Sequence, residues 1–449
     1  MMKNSEKYRK YVPYPFWAMD QEFIFKYANE LTGDDRSQLA YYPFKWAYVP
    51  PHDSASAAEF LRDIGVDDGE VSAAAVAAKF ENMTSFELLK QERTVQWGGD
   101  ILYDNPPPGF RMIPEWEPMT GVLFNWPTLY PPLWDMFRQM IAALDHVTTF
   151  LRIGEGYFGA AVLAWLDAHG LDLDKIRPIP GPIGDSWARD YSPLYGVNIY
   201  SGEPVAHKFT FAAFLPEYRA KNRSIVEIDD NFVLKEGFRV YRSEIKLDGG
   251  AILTDGNGTY IITRRILSDN QDVINLYAKL EAWLGADRLL VVDEEPDDVL
   301  GHINHFKFIS PQKIMVGRPD KAGTKVYHYL EKISKLFEKS GYEVIRVPGP
   351  EGFDHRLPGG DNTHTALYAN SLMMNKRILV ATFDQEGLEG YNEEALMVYQ
   401  RALPDYEVIP IEATLQTNAG GAINCSSKEI PDATSNRCRN TDEMYIRPG

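Results

Sequence analysis

Three side chains able to do covalent or proton-transfer chemistry stand far apart in the chain: Cys425 in AGGAINCSSKE, His302 in GHINHFKF and Asp190 in DSWARDYSP. A thiol attacks carbon as its thiolate, an imidazole exchanges protons near neutral pH, and a carboxylate orients a cationic partner. Brought together they are the parts of nucleophilic catalysis at an electrophilic carbon. Each also has a structural reading. Free cysteine is a small buried hydrophobe in many cores, a lone histidine can sit satisfied in a core, and an aspartate can tie a turn. Only their convergence favours chemistry.

Other clusters offer less. His302 and His305 are three residues apart on an expected strand, where they would face opposite ways and make no zinc pair. His355, Asp361 and His364 share the loop FDHRLPGGDNTH but do not specify a metal geometry. There is no G-x-S-x-G elbow and no G-x-x-x-x-G-K-[ST] phosphate loop. The DGNG in AILTDGNGTYIITRR lies between two strand-like runs, so it reads as a hairpin turn.

Convergence must come from the elements between these residues. From Arg111 onward a unit recurs: an amphipathic helix, a short β-branched strand, a loop rich in Gly, Pro and Asp, then a strand pair. PLWDMFRQMIAALDH leads into VTTFLRIG, YFGAAVLAWLDAHG into KIRPIPGPIGDSWARDYSPLYG, and QDVINLYAKLEAWLG into RLLVVDE. KVYHYLEKISKLFEKSG leads into YEVIRVPGP, and NEEALMVYQRALPD into YEVIPIEATLQTNAGGAINCS. Such units stack as blades around an axis. Their polar loops then meet at one end of that axis, which is the expected meeting place of Asp190, His302 and Cys425.

Residues 1–110 differ, with aromatic runs (YVPYPFWAMD, YYPFKWAYVPP), an alanine-rich helical stretch and the breaker NPPPG. They read as an N-terminal extension on a main domain of residues 111–433, followed by a tail at 434–449. The chain is 44% hydrophobic and 24% charged, an ordinary globular balance. Its net charge of -18 disfavours nucleic acid as a partner and suits a cationic small molecule or basic peptide. No secretory leader and no membrane span are expected. Cys438 is the one other cysteine, so at most a local staple could form, and cysteine usage fits a reducing, cytoplasmic setting.

Six stretches carry a resemblance: RMIPEWEPMTGVLFNWP, GDSWARDYSPLYG, KLDGGAILTDGNGTYIITRRIL, GHINHFKFISPQKIMVG, YANSLMMNKRILVATF and AGGAINCS. In this order, over roughly residues 110–433, they resemble the agmatine deiminase and Porphyromonas-type peptidylarginine deiminase family. The resemblance implies an α/β pentein fold, a five-bladed α/β propeller with pseudo-five-fold repeats, matching the five units above. It also implies deimination of a guanidinium (agmatine, arginine or peptidyl arginine) without metal or organic cofactor.

On that resemblance Cys425 stands at the nucleophile, His302 at the general acid and base, and Asp190 at the guanidinium-binding aspartate. Asn304 stands where the family's G-H-x-D stretch has its aspartate, and Asn424 where a histidine usually precedes the cysteine. Asp185, Trp187, Arg189, Asp248 and Asn370 join as substrate-binding candidates, with Asp248 or Asp361 as possible sources of the missing carboxylate. An amidinotransferase using the same residues, or a catalytically impaired binding protein, are the alternatives. A homo-oligomer is allowed.

Overall fold

The computed structural model describes residues 105–432 except 128–132, 154–156, 181–185, 212–231, 234–235, 297, 299, 354–363 and 419, together with Ala55 and Tyr103. The rest of the N-terminal stretch, and the tail with Cys438, lie outside the described residues.

Five sheets share one plan. Each has a central strand paired antiparallel on one side and parallel on the other. The central strands are Met119–Asn125, Pro204–Thr210, Thr259–Thr263, Lys313–Arg318 and Arg377–Thr382. Their antiparallel partners are Ser427–Pro431, Leu194–Asn198, Ile252–Thr254, Phe306–Ser310 and Leu372–Met374. Their parallel partners are Thr148–Ile153, Arg239–Lys246, Arg288–Val292, Glu343–Pro348 and Glu407–Glu412. A parallel neighbour needs a crossover, and in four of the five blades one or two described helices supply it. Leu372–Met374 is buried throughout and Ser427–Pro431 likewise, whereas Arg288–Val292 and Glu407–Glu412 begin exposed. The antiparallel strands therefore form the inner edge of each blade and the parallel strands the outer edge.

The crossover Lys325–Lys339 shows how sequence makes such a unit. Thr324 caps it by accepting the Tyr327 N–H, and Val326, Tyr329, Leu330, Ile333 and Phe337 make the buried stripe. That spacing is one helix face, laid against the strands Lys313–Arg318 and Glu343–Pro348. Leu330 is fully buried, so Leu330→Ala would cost about 2–5 kcal/mol. The hairpin expected at DGNG is present, with Gly256 and Gly258 at φ 75 and 89.

The first blade is closed by the last described strand, Ser427–Pro431, which pairs with Met119–Asn125. Residues as far apart in sequence as Phe124 and Ser427 are thereby locked together, and Cys425 is carried to the first blade.

One expected unit is assigned differently. The helix Tyr157–Ala168 leads into Ile176–Pro180, which pairs parallel with Thr148–Ile153 as a fourth strand of the first sheet. The second blade instead crosses over through residues 211–238, most of them outside the described set. The helix YFGAAVLAWLDA was legible, but sequence periodicity does not say which sheet receives the strand that follows it. A second correction concerns His302 and His305. Neither is on a strand, since the strand begins at Phe306.

Candidate active site

The loop that enters each inner strand occupies an equivalent place in its blade. Cys425 precedes Ser427, Asp190 precedes Leu194, Asp248 precedes Ile252, His302 and Asn304 precede Phe306, and Asn370 precedes Leu372. Hydrogen bonds join the five loops in a ring. Arg189 N–H donates to Cys425 O at 3.3 Å, Gly249 N–H to Asp190 O at 2.8 Å, and Ile303 N–H to Gly250 O at 2.8 Å. The Asn370 side chain bonds Asn304 at 3.2 Å, and Asn424 N–H closes the ring on Asn370 O at 3.1 Å. The Gly249–Gly250 step is what lets the ring close. A Cβ on Gly249 would lie 2.2 Å from Arg189 O, and one on Gly250 would lie 2.8 Å from the His302 ring.

Inside the ring His302 lies between two carboxylates, with Asp190 3.8 Å from Nδ1 and Asp248 3.5 Å from Nε2. All three are buried. Burial alone would discharge the imidazole, but the charge of Asp190 and the hydrogen bond to Asp248, with Asp298 behind them, push it up to about 10. His302 is therefore an imidazolium at neutral pH, an acid ready to donate. Two carboxylates against one imidazolium leave a net negative charge suited to a cation.

Cys425 is 5% exposed. Its sulfur accepts Asn370 Nδ2–H at 3.1 Å and lies 3.4 Å from Asn304 Oδ1, to which the S–H donates. Burial, then the charge of Asp190, push the thiol up to about 12, while the Asn370 hydrogen bond acts the other way. At neutral pH the Cys425 thiol and the His302 imidazole are thus both protonated. Seating a cation next to Asp190 would offset the charge that disfavours the thiolate.

Two candidates have partners within the protein. The Arg189 side chain is paired with carboxylates of the protein. Its guanidinium bonds Asn424 O at 2.7 Å and Glu429 at 2.7 Å, with Glu115 at 3.5 Å. It belongs to a buried ion cluster with Lys428 on Glu429 (2.9 Å) and Lys307 on Glu115 (2.5 Å). A buried guanidinium needs such carboxylates, and once paired it has no reason to meet a cationic substrate. Asn370 grips the cysteine at its sulfur and at its backbone N–H. Trp187 packs in the same apolar cluster as Cys425, over Gly421, where a Cβ would lie 2.4 Å from its ring. Asn424 donates its side-chain N–H to Glu115 at 2.9 Å. Asp185, His355 and Asp361 lie outside the described residues, as does the His364 side chain.

The sequence reading missed Asp298 and Glu295, both in the acidic run DEEPDDVLGH. Asp298 caps the turn that presents His302. Glu295 accepts the backbone N–H groups of Asn304 and His305 at 2.9 Å each and pairs with His305 Nδ1 at 2.6 Å. His305 is thus a loop anchor facing Glu295, apart from His302. An aspartate shortly ahead of a Gly-His turn was the available signal, since such a side chain can accept the N–H groups that follow it.

Among the described residues no group of three or more His, Cys, Asp or Glu could hold a metal ion, and no helix is long and apolar enough to cross a membrane.

Known proteins resemble this chain in sequence and in fold. The family described as Porphyromonas-type peptidyl-arginine deiminase matches residues 111–431. An agmatine deiminase of Medicago truncatula is 25% identical over 372 residues, covering 72% of this chain and 96% of its own. Among solved structures, an agmatine deiminase of C. jejuni aligns with TM-score 0.61 at 18% identity, over 72% of this chain and 96% of that one. The agmatine deiminase of Enterococcus faecalis aligns with TM-score 0.60 at 20% identity over the same 72% and 96%. The structural likeness shows that the five sheets form the pentein fold.

Proposed function

Because the chain belongs to the Porphyromonas-type peptidyl-arginine deiminase family, we propose that it hydrolyses a guanidinium, cleaving one C–N bond of a linear amidine to give ammonia and a ureido product. The observation that carries this reading is the placing of Cys425, His302, Asp190 and Asp248 on four loops of one ring, with His302 between the two carboxylates. A small agmatine-like cation is the preferred substrate, supported by relatives named agmatine deiminase. Arginine and peptidyl arginine complete the test panel.

Each residue has a step. Asp190 and Asp248 hold the planar cation through its N–H donors. The bound charge favours loss of the thiol proton, which leaves to solvent, and the Cys425 thiolate forms a C–S bond to the central carbon. The His302 imidazolium gives its proton to the departing amino group, the C–N bond breaks, and ammonia leaves an amidino-thioether. Neutral His302 then takes a proton from water as the oxygen adds to the same carbon. The C–S bond breaks, the hydroxyl proton passes to the leaving sulfur, and the Cys425 thiol and the ureido product separate.

The test is ammonia release from agmatine, arginine and a blocked peptidyl arginine, with mass spectrometry of Cys425 in quenched reactions. Ammonia together with a Cys425 adduct is the expected result. Ammonia release that survives Cys425→Ser would overturn the assignment of the nucleophile, and an inert wild type would overturn the substrate class.

A further inference from the structure

We propose that Asp298 is a positioning residue for Cys425, acting through two asparagine amides in series; the proposal rests on the reading of Cys425 as nucleophile. One Asp298 oxygen accepts the backbone N–H groups of Leu300, Gly301 and His302 at 2.8, 2.6 and 3.1 Å. The other accepts Asn304 Nδ2–H at 2.8 Å. Asn304 Oδ1 accepts Asn370 Nδ2–H at 3.2 Å, and Asn370 Oδ1 accepts the Cys425 backbone N–H at 3.2 Å.

The two ends of this chain of hydrogen bonds have fixed chemistry. A carboxylate only accepts and a backbone N–H only donates. Each amide between them then has one orientation in which no donor faces a donor. In that orientation Asn304 turns its carbonyl oxygen to the sulfur at 3.4 Å, and Asn370 turns an N–H to it at 3.1 Å. A carboxylate two amides away thus sets which polar atoms the sulfur meets. The same pairing explains the amide at position 304. A carboxylate there would face Asp298 across a 2.8 Å contact that has no proton to share. Of the two side chains in this contact the carboxylate therefore stands at Asp298, and at position 304 a substrate meets a neutral amide.

The experiment compares full-length wild type with Asp298→Asn, Asn304→Asp and the double variant Asp298→Asn/Asn304→Asp. The double variant exchanges the places of carboxylate and amide while keeping the bond between them. Two readouts are taken: the rate of Cys425 alkylation by iodoacetamide, followed by mass spectrometry, and kcat and KM for ammonia release from agmatine. Asp298→Asn is expected to lower both the alkylation rate and kcat by about tenfold or more with little change in KM, because a donor–donor contact must fall somewhere in the chain. The double variant is expected to recover kcat on agmatine, whose positive charge offsets the carboxylate now beside the sulfur, to near wild type, while its alkylation by uncharged iodoacetamide stays slow. It should also lower KM, since the carboxylate now stands beside the substrate.

Wild-type rates in Asp298→Asn would overturn the proposal, as would a double variant whose kcat is no higher than that of either single one. Failure of both Asp298 variants to fold, seen as lost melting transitions, would also overturn it and make Asp298 a loop cap alone. If wild type releases no ammonia, the functional reading fails, while the alkylation rates still decide the role of Asp298.

Discussion

Asn370 holds Cys425 at two points, donating an N–H to its sulfur at 3.1 Å and accepting its backbone N–H at 3.2 Å. One amide therefore fixes both the place of the residue and the direction of its thiol. Asn370→Ala removes both bonds from a site that is 2% exposed. With the sulfur free to shift by about 1 Å, kcat is expected to fall roughly 10²-fold while KM changes little. Steady-state ammonia release measures both, and a change confined to KM would instead make Asn370 a substrate ligand.

Cys425→Ser is expected to abolish turnover and leave the melting temperature close to wild type, because the hydroxyl is nearly isosteric and far less nucleophilic. Cys438→Ser is expected to leave activity unchanged. Circular dichroism melting and the ammonia assay on both variants check this.

The raised thiol predicts a preference for cationic reagents. Iodoacetamide has no charge and meets a protonated sulfur at neutral pH, since burial and Asp190 hold the thiol up near 12. A chloroacetamidine brings its own positive charge and offsets Asp190. Its alkylation rate, normalised to the rates of both reagents with a free thiol, is expected to be higher by about tenfold or more, the effect of one pKa unit. Equal normalised rates would mean that the pocket does not read charge.

His302 titrates in the folded protein at about 10, above its ordinary 6.5, because Asp190 and Asp248 outweigh the cost of burial. Its contribution to stability is complete below about pH 6.5 and is lost as pH rises through about 10. The wild-type melting temperature is therefore expected to fall on the alkaline side more steeply than that of His302→Gln. In kinetics, His302→Ala is expected to slow both formation and hydrolysis of the adduct by roughly 10²–10⁴-fold. Asp248→Asn should move the alkaline loss of activity to lower pH, since it removes a carboxylate that stabilises the imidazolium.

Beneath the site, Glu429 is buried between Arg189 and Lys428. Burial opposes its charged form, yet the two cations hold its carboxyl well below the usual range. Its contribution is present above the ordinary carboxylate value and is lost only in strong acid. Glu429→Gln leaves two buried cations short of a partner and is expected to cost about 3–5 kcal/mol in denaturant unfolding. A loss under 1 kcal/mol would mean that Glu115 and water compensate for the missing charge.

The sequence by itself determined the recurring helix–strand unit, because apolar spacing on a helix face and β-branched runs are local properties. Lys325–Lys339 and the DGNG hairpin were legible for that reason. It also determined which residue types could do chemistry, so Cys425, His302, Asp190 and Asp248 could be named. Tertiary structure decided where side chains point. Arg189 and Asn424 sit one residue from Asp190 and Cys425, yet they turn to Glu429 and Glu115, because a buried guanidinium goes where the carboxylates are. It also decided which sheet received Ile176–Pro180, a matter of pairing partners more than of propensity. Asp298 gained its role only when three loops closed around it. A hydrogen-bond chain running from residue 298 through 304 and 370 to 425 depends on contacts between distant segments, and no local pattern in the sequence encodes those contacts.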